Sequence, residues 1–77
     1  MNKAKFNIQD QFLNQVRKDG TAVIIETVEG KKIDGNIRGF DSFCILMEGK
    51  EQYLVYKHAI SYIQPRDVDR VKLGTHD

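Results

Sequence analysis

Lys57 and His58 stand side by side between two apolar runs, Tyr53-Leu54-Val55-Tyr56 before them and Ile60-Ser61-Tyr62-Ile63 after Ala59. Lysine is among the residues least often fully buried, and a neutral histidine in an interior needs hydrogen-bond partners. The plainest account is a polar corner joining two β-strands. The sharper one is a cationic, hydrogen-bonding site held rigid by the strands on either side. Asp41, His58 and Ser61 supply the residue types of a hydrolytic triad, but no nucleophile elbow or oriented base accompanies them. Neither metal-ligand spacing nor a phosphate-cradling loop is visible. The expectation is a binding protein and not an enzyme, with no metal and no cofactor.

The chain around this corner is short. Its 77 residues give room for one domain. A chain of that size buries only roughly 60–65% of its unfolded surface, so an isolated fold is marginal. The single cysteine, Cys44, allows no disulfide within the chain and reads as a reduced residue inside an apolar run. Self-association is the remaining source of stability. A net charge of +1 argues against a uniformly basic surface, so any polyanion site must be local. No long apolar segment, signal peptide or lipidation motif is visible, which points to a soluble cytoplasmic protein without a membrane partner.

The elements that position the corner follow from periodicity. Residues 1–6 read as a flexible N-terminus. Asn7 is a good N-cap, with Asp10 three positions on. Ile8, Phe12, Leu13 and Val16 then recur on one helical face, and Gly20 stops the helix after Arg17 and Lys18, predicting a helix over 7–19. After Thr21 the period changes, and strands are predicted at about 22–28, 31–40, 43–48, 51–57 and 60–64. In the second strand Ile33, Gly35, Ile37 and Gly39 face one way, while Lys32, Asp34, Asn36, Arg38 and Phe40 face the other. Two inward glycines suit a strand that bends sharply, as a small closed barrel requires. Residues 66–77, charged and poor in aromatics, read as a disordered tail. The fold expected is mostly β with an N-terminal α-helix, a strongly bent five-stranded SH3-like barrel.

The fourth strand is apolar on both faces, with Tyr53 and Val55 on one and Leu54 and Tyr56 on the other. One face fills a barrel, and the second needs another cover. An exposed apolar edge strand invites pairing with a copy of itself. Pairing of strand four with strand five of the next copy is heterologous and closes into a ring if the rotation allows. A cyclic oligomer is therefore expected, although strand pairing alone does not fix the number of copies.

Three segments carry a family likeness: Asn7-Ile8-Gln9-Asp10-Gln11-Phe12-Leu13-Asn14, Gly39-Phe40-Asp41-Ser42-Phe43, and Tyr56-Lys57-His58-Ala59-Ile60-Ser61. Together they resemble the Hfq family, the bacterial branch of the Sm/LSm RNA-binding proteins. The likeness runs from about Phe6 to Pro65 without a gap, over an Sm-like domain at 7–65. It implies a homohexameric ring with the helices on one face. It also implies an RNA chaperone that promotes pairing of small regulatory RNAs with messenger RNAs.

The resemblance assigns roles by position. Gln9, Ser42, Phe43, Lys57 and His58 match the pore that binds uridine-rich single strands. There Phe43 would stack a base, Lys57 would hold a uracil carbonyl, His58 would contact phosphate or sugar, and Gln9 would reach in from the helix. Ser42 stands where a longer amide side chain is often found, so that contact is shorter or bridged by water. Asn14, Arg17 and Lys18 match a rim patch that holds RNAs for annealing. It is weakened here because Asp19 opposes only two cations. Gly30, Lys32 and Ile33 match the opposite, distal face, which takes purine-rich sequence. Glu26 occupies a position where an aromatic is often found; a carboxylate cannot stack a base, and Tyr53 and Tyr62 are the alternative rings. Tyr56, beside the pairing edge, is assigned to the subunit interface. The competing function is an LSm-type ring that serves as a protein assembly module with weak RNA binding.

Overall fold

The computed structural model describes residues 7–67, 71 and 73. The expected flexible N-terminus, 1–6, and most of the expected tail, 66–77, lie outside the described residues. Helix α1 (Ile8–Asp19) is followed by β1 (Val23–Thr27), β2 (Lys32–Phe40), β3 (Cys44–Glu48) and β4 (Gln52–Tyr56). A single 3₁₀ turn over Lys57–Ala59 then leads into β5 (Ile60–Pro65). All strand pairs are antiparallel and the order is β4-β3-β2-β1-β5, so β4 and β5 are the two edges.

Helix α1 starts and stops where its side chains dictate. The Asn7 side chain accepts the Asp10 backbone N–H at 3.3 Å, an N-cap interaction that satisfies one orphan donor of the first turn. At the other end Gly20 takes φ +67°. Its N–H donates to the Arg17 carbonyl, while the Thr21 N–H donates to that of Val16. This double bond pattern is a Schellman closure, which favours a glycine because the left-handed conformation strains other residues. The Asn36 side-chain amide donates to the Gly20 carbonyl at 3.0 Å and ties the helix end to β2.

The apolar stripe of α1 lies on the sheet. Leu13 and Val16 are buried with Val23 and Ile25 of β1, Ile37 of β2, Ile45 and Met47 of β3, and Val55 of β4. Strand β2 joins both halves of the sheet, pairing with β1 through its first residues and with β3 through its last. Its register shifts between Ile37 and Gly39. The shift ends the strict alternation read from sequence: Phe40 sits opposite buried Ile45 and packs against the core instead of facing away. A bulge adds one residue to one strand, so every later side chain changes face.

Of the two glycines of β2 expected to face inward, only Gly35 does so and is sterically required; the bulge puts Gly39 opposite Leu46, on the other face. A Cβ on Gly35 would lie 2.7 Å from the Glu48 carbonyl oxygen, while one on Gly39 would meet nothing within 4 Å. Gly49 is the counterpart of Gly35, because a Cβ there would collide with the Asp34 carbonyl. Backbone therefore meets backbone where β2 passes the β3–β4 turn. Beyond β5, the Arg66 N–H donates to the Ala22 carbonyl, and its guanidinium pairs with Asp34 at 2.7 Å.

Candidate nucleic-acid interface

Two strand ends and the 3₁₀ turn meet at the Lys-His corner. The Asp41 carboxylate accepts the backbone N–H groups of both Phe43 and Cys44 at 2.8 Å. This Asx-type turn fixes the entry to β3 and sets Ser42 and Phe43 out on its tip. The Phe43 carbonyl in turn accepts the Lys57 N–H at 2.8 Å. The loop bearing Phe43 and the turn bearing Lys57 are thus locked to each other by backbone. Those two hydrogen bonds, with the Lys57 charge nearby, hold the Asp41 carboxyl below its ordinary value.

Phe43 is 75% exposed. A large aromatic that misses an available core, on a loop held by the Asp41 carboxylate and by the backbone bond to Lys57, is a rigid apolar platform in water. Lys57 is the opposite case: its side chain is only 14% exposed and lies 3.7 Å from the Asp10 carboxylate. Its ammonium also sits over the Phe40 ring, 5.6 Å from the centroid. The lysine is therefore oriented before any ligand arrives, and Asp10 offsets part of its field. His58 is exposed and stacks on Tyr56 with ring centroids 6.0 Å apart.

Gln9, Lys57 and Ser61 share the lining of one cavity between α1 and β5, about 330 Å³ in volume. The structure thus brings Phe43 to Lys57 through backbone and Gln9 to Lys57 through this cavity. His58 sits next to them on the 3₁₀ turn, and Ser42 is exposed beside Phe43. Among the described residues no cluster of side chains has metal-ligand geometry, and no helix is long and apolar enough to cross a membrane.

The remaining candidates lie elsewhere. On α1, Arg17 donates to the Asn14 side chain, and Gln15 holds Asp19 at 3.0 Å. Arg17 and Lys18 are both exposed in the last helical turn. Gly30 turns the β1–β2 loop with φ +91°. Lys32 is exposed, and Ile33 is half-buried against the core. Of the two alternative tyrosines, Tyr53 packs partly against the core while Tyr62 is exposed and donates its hydroxyl to Glu26. Sequence reasoning did not foresee three of these contacts: Asp41 to its loop, Asp10 to Lys57, and Tyr62 to Glu26. Only the first had a local signal, an Asp two residues before the end of a polar turn. Leu54 and Tyr56 of edge strand β4 are 56% and 51% exposed.

Comparisons with known proteins agree on one family. The family model described as Hfq protein matches residues 8–70. An RNA-binding protein Hfq of a Geobacillus species is 55% identical over 65 residues, covering 82% of this chain and 86% of that protein. The RNA-binding protein Hfq of Bacillus velezensis is 53% identical over 62 residues, covering 78% and 84%. Among solved structures, a crystal structure of the pleiotropic translational regulator Hfq superposes with a TM-score of 0.73 at 32% identity, covering 75% of this chain and 98% of that one. An Hfq protein from Anabaena sp. gives 0.72 at 29% identity, covering 77% and 97%. With its helix, five bent antiparallel strands and Lys-His corner, the chain belongs to the Hfq protein family.

Proposed function

We propose that this chain is an RNA chaperone that binds uridine-rich single strands at the centre of a ring of its own copies. In this reading it promotes pairing between small regulatory RNAs and messenger RNAs in the cytoplasm. The observation that carries it is Phe43, an aromatic displayed to solvent on a loop bonded directly to the Lys57 turn. A base stacked on such a ring gains roughly 1–3 kcal/mol, with little dependence on sequence. Lys57, already oriented by Asp10 and Phe40, donates to a uracil carbonyl. Gln9 reaches the same cavity from the helix, His58 contacts phosphate or sugar, and Ser42 makes a short or water-bridged contact. RNA recognition of this kind needs unstacked bases, which single strands supply.

The free edges support the ring. Among the described residues, strands β4 and β5 each have one side without a strand partner, and β4 carries exposed Leu54 and Tyr56. Edge-to-edge pairing of β4 with β5 of the next copy satisfies those backbone groups and brings both side chains alongside the neighbouring strand. Tyr56 then belongs to the subunit contact. Family membership supports six copies. Asn14, Arg17 and Lys18 form a weak outer rim, whose contribution to annealing is modest because it has only two cations and the negative Asp19 lies beside them. Gly30, Lys32 and Ile33 mark the distal side, ranked below the pore.

The test is a titration of a short U-rich oligonucleotide against wild-type protein and Lys57→Ala. A loss of at least about tenfold is expected, on the scale of one lost charged hydrogen bond. Equal affinities would remove the pore assignment. The assembly-module alternative predicts only weak, sequence-indifferent RNA binding in both proteins.

A further inference from the structure

On the sheet face turned away from α1, three strands place unlike groups in one row. Glu26 of β1 sits opposite Lys32 of β2 and opposite Tyr62 of β5. Val23 and Ile25 turn inward to Leu13 and Val16, so alternation puts Glu26 outward. Tyr62 is 43% exposed, and its hydroxyl donates to Oε1 of Glu26. That bond holds the phenol above its ordinary pKa, so at neutral pH the hydroxyl remains a donor. The bond also fixes both side chains. The ring is pinned at its far end, and the carboxylate is anchored at the ring's rim.

We propose that Glu26 and Tyr62 form a base-reading pair that selects guanine in single-stranded RNA. The pair rests on the RNA-binding reading above and lies on the face opposite the helix. Tyr62 supplies the stacking surface. A carboxylate is acceptor-only and has about four lone-pair positions, of which the Tyr62 hydroxyl takes one. The bases differ in what they offer it. Guanine presents two adjacent donors on its Watson–Crick edge, N1–H and the N2 amine. Adenine presents one donor beside an acceptor, and uracil a donor flanked by acceptors. Only guanine meets two carboxylate oxygens without setting an acceptor against the negative charge. Lys32, exposed on the other side of Glu26 in the same row, is placed to hold the neighbouring phosphate. In the proposed ring this face stays open, because subunits join through backbone at the free edge of β5.

Three RNA probes test the pair in the full-length protein by fluorescence anisotropy. One is a short adenosine strand, one is the same strand with guanine at every third position, and one is U-rich. The wild type is expected to bind the guanine-containing strand at least about tenfold more tightly than the adenosine strand, as two-point readout of a base edge commonly gives. Glu26→Gln, which replaces one acceptor oxygen by a donor amide, is expected to abolish that preference while U-rich binding is unchanged. Tyr62→Ala is expected to weaken both purine strands. Inosine in place of guanine, lacking the N2 amine, is expected to lose most of the gain. A wild type that binds both purine strands equally, or a Glu26→Gln variant that keeps the preference, overturns this proposal. If U-rich binding persists in that case, the pore reading stands; if no probe binds, both fall.

Discussion

The Asp41 carboxylate organises the Phe43 loop by accepting two backbone N–H groups. Its folded pKa lies below the ordinary 3.8, so the sign of its pH effect is fixed. The stabilisation is fully present above the unfolded value and is lost as pH falls through the lower folded value. Urea denaturation of wild type and Asp41→Ala should therefore show a wild-type advantage at neutral pH that shrinks below about pH 4. An advantage that is constant with pH contradicts the role given to the charge. At the same loop, Phe43→Ala removes the platform without touching the core. It should weaken a short U-rich oligonucleotide by about 1–3 kcal/mol and leave the denaturation midpoint nearly unchanged. Lys57 and His58 were legible from the sequence as types, since they stood out beside their apolar neighbours, whereas Phe43 opens an apolar run and was singled out only by the family resemblance. Their pairings were not: Asp10 reaches Lys57 across 47 positions of the chain, and no local pattern encodes that.

Helix α1 was readable because its signals are local: a capping Asn7, a four-residue apolar recurrence and Gly20 at the end. Strand β2 was readable only as far as Ile37. The bulge that turns Phe40 toward the core arises from pairing with β3 and leaves no mark in the alternation itself. For the same reason the two glycines expected to face inward looked equivalent, yet only Gly35 meets another backbone. Gly35→Ala should destabilise the protein by about 1–3 kcal/mol, as overpacking does. Gly39→Ala should be neutral or stabilising by about 0.4–1 kcal/mol, because it restricts the unfolded chain and meets no obstacle. Thermal or chemical denaturation of the two variants separates them, and a reversed order would contradict the backbone-crossing account. The double-faced pattern of β4 was also legible, and the structure leaves Leu54 and Tyr56 on the free edge.

At the scale of the whole molecule, a net charge of +1 leaves little general attraction for a polyanion. Binding must then come from concentrating a few groups, which one chain does poorly and a ring does well. The rim offers a separate check. Lys18→Ala should weaken long RNAs and flatten their salt dependence while leaving a short U-rich oligonucleotide nearly untouched. The reverse ranking would mean that pore and rim have been exchanged. The central claim is that copies join edge to edge and collect their Lys57 corners around one opening. Native mass measurement of the RNA-free protein at micromolar concentration tests it most directly. The account predicts a closed assembly of six chains; a folded monomer, with the β4 and β5 edges both open to water, would contradict it.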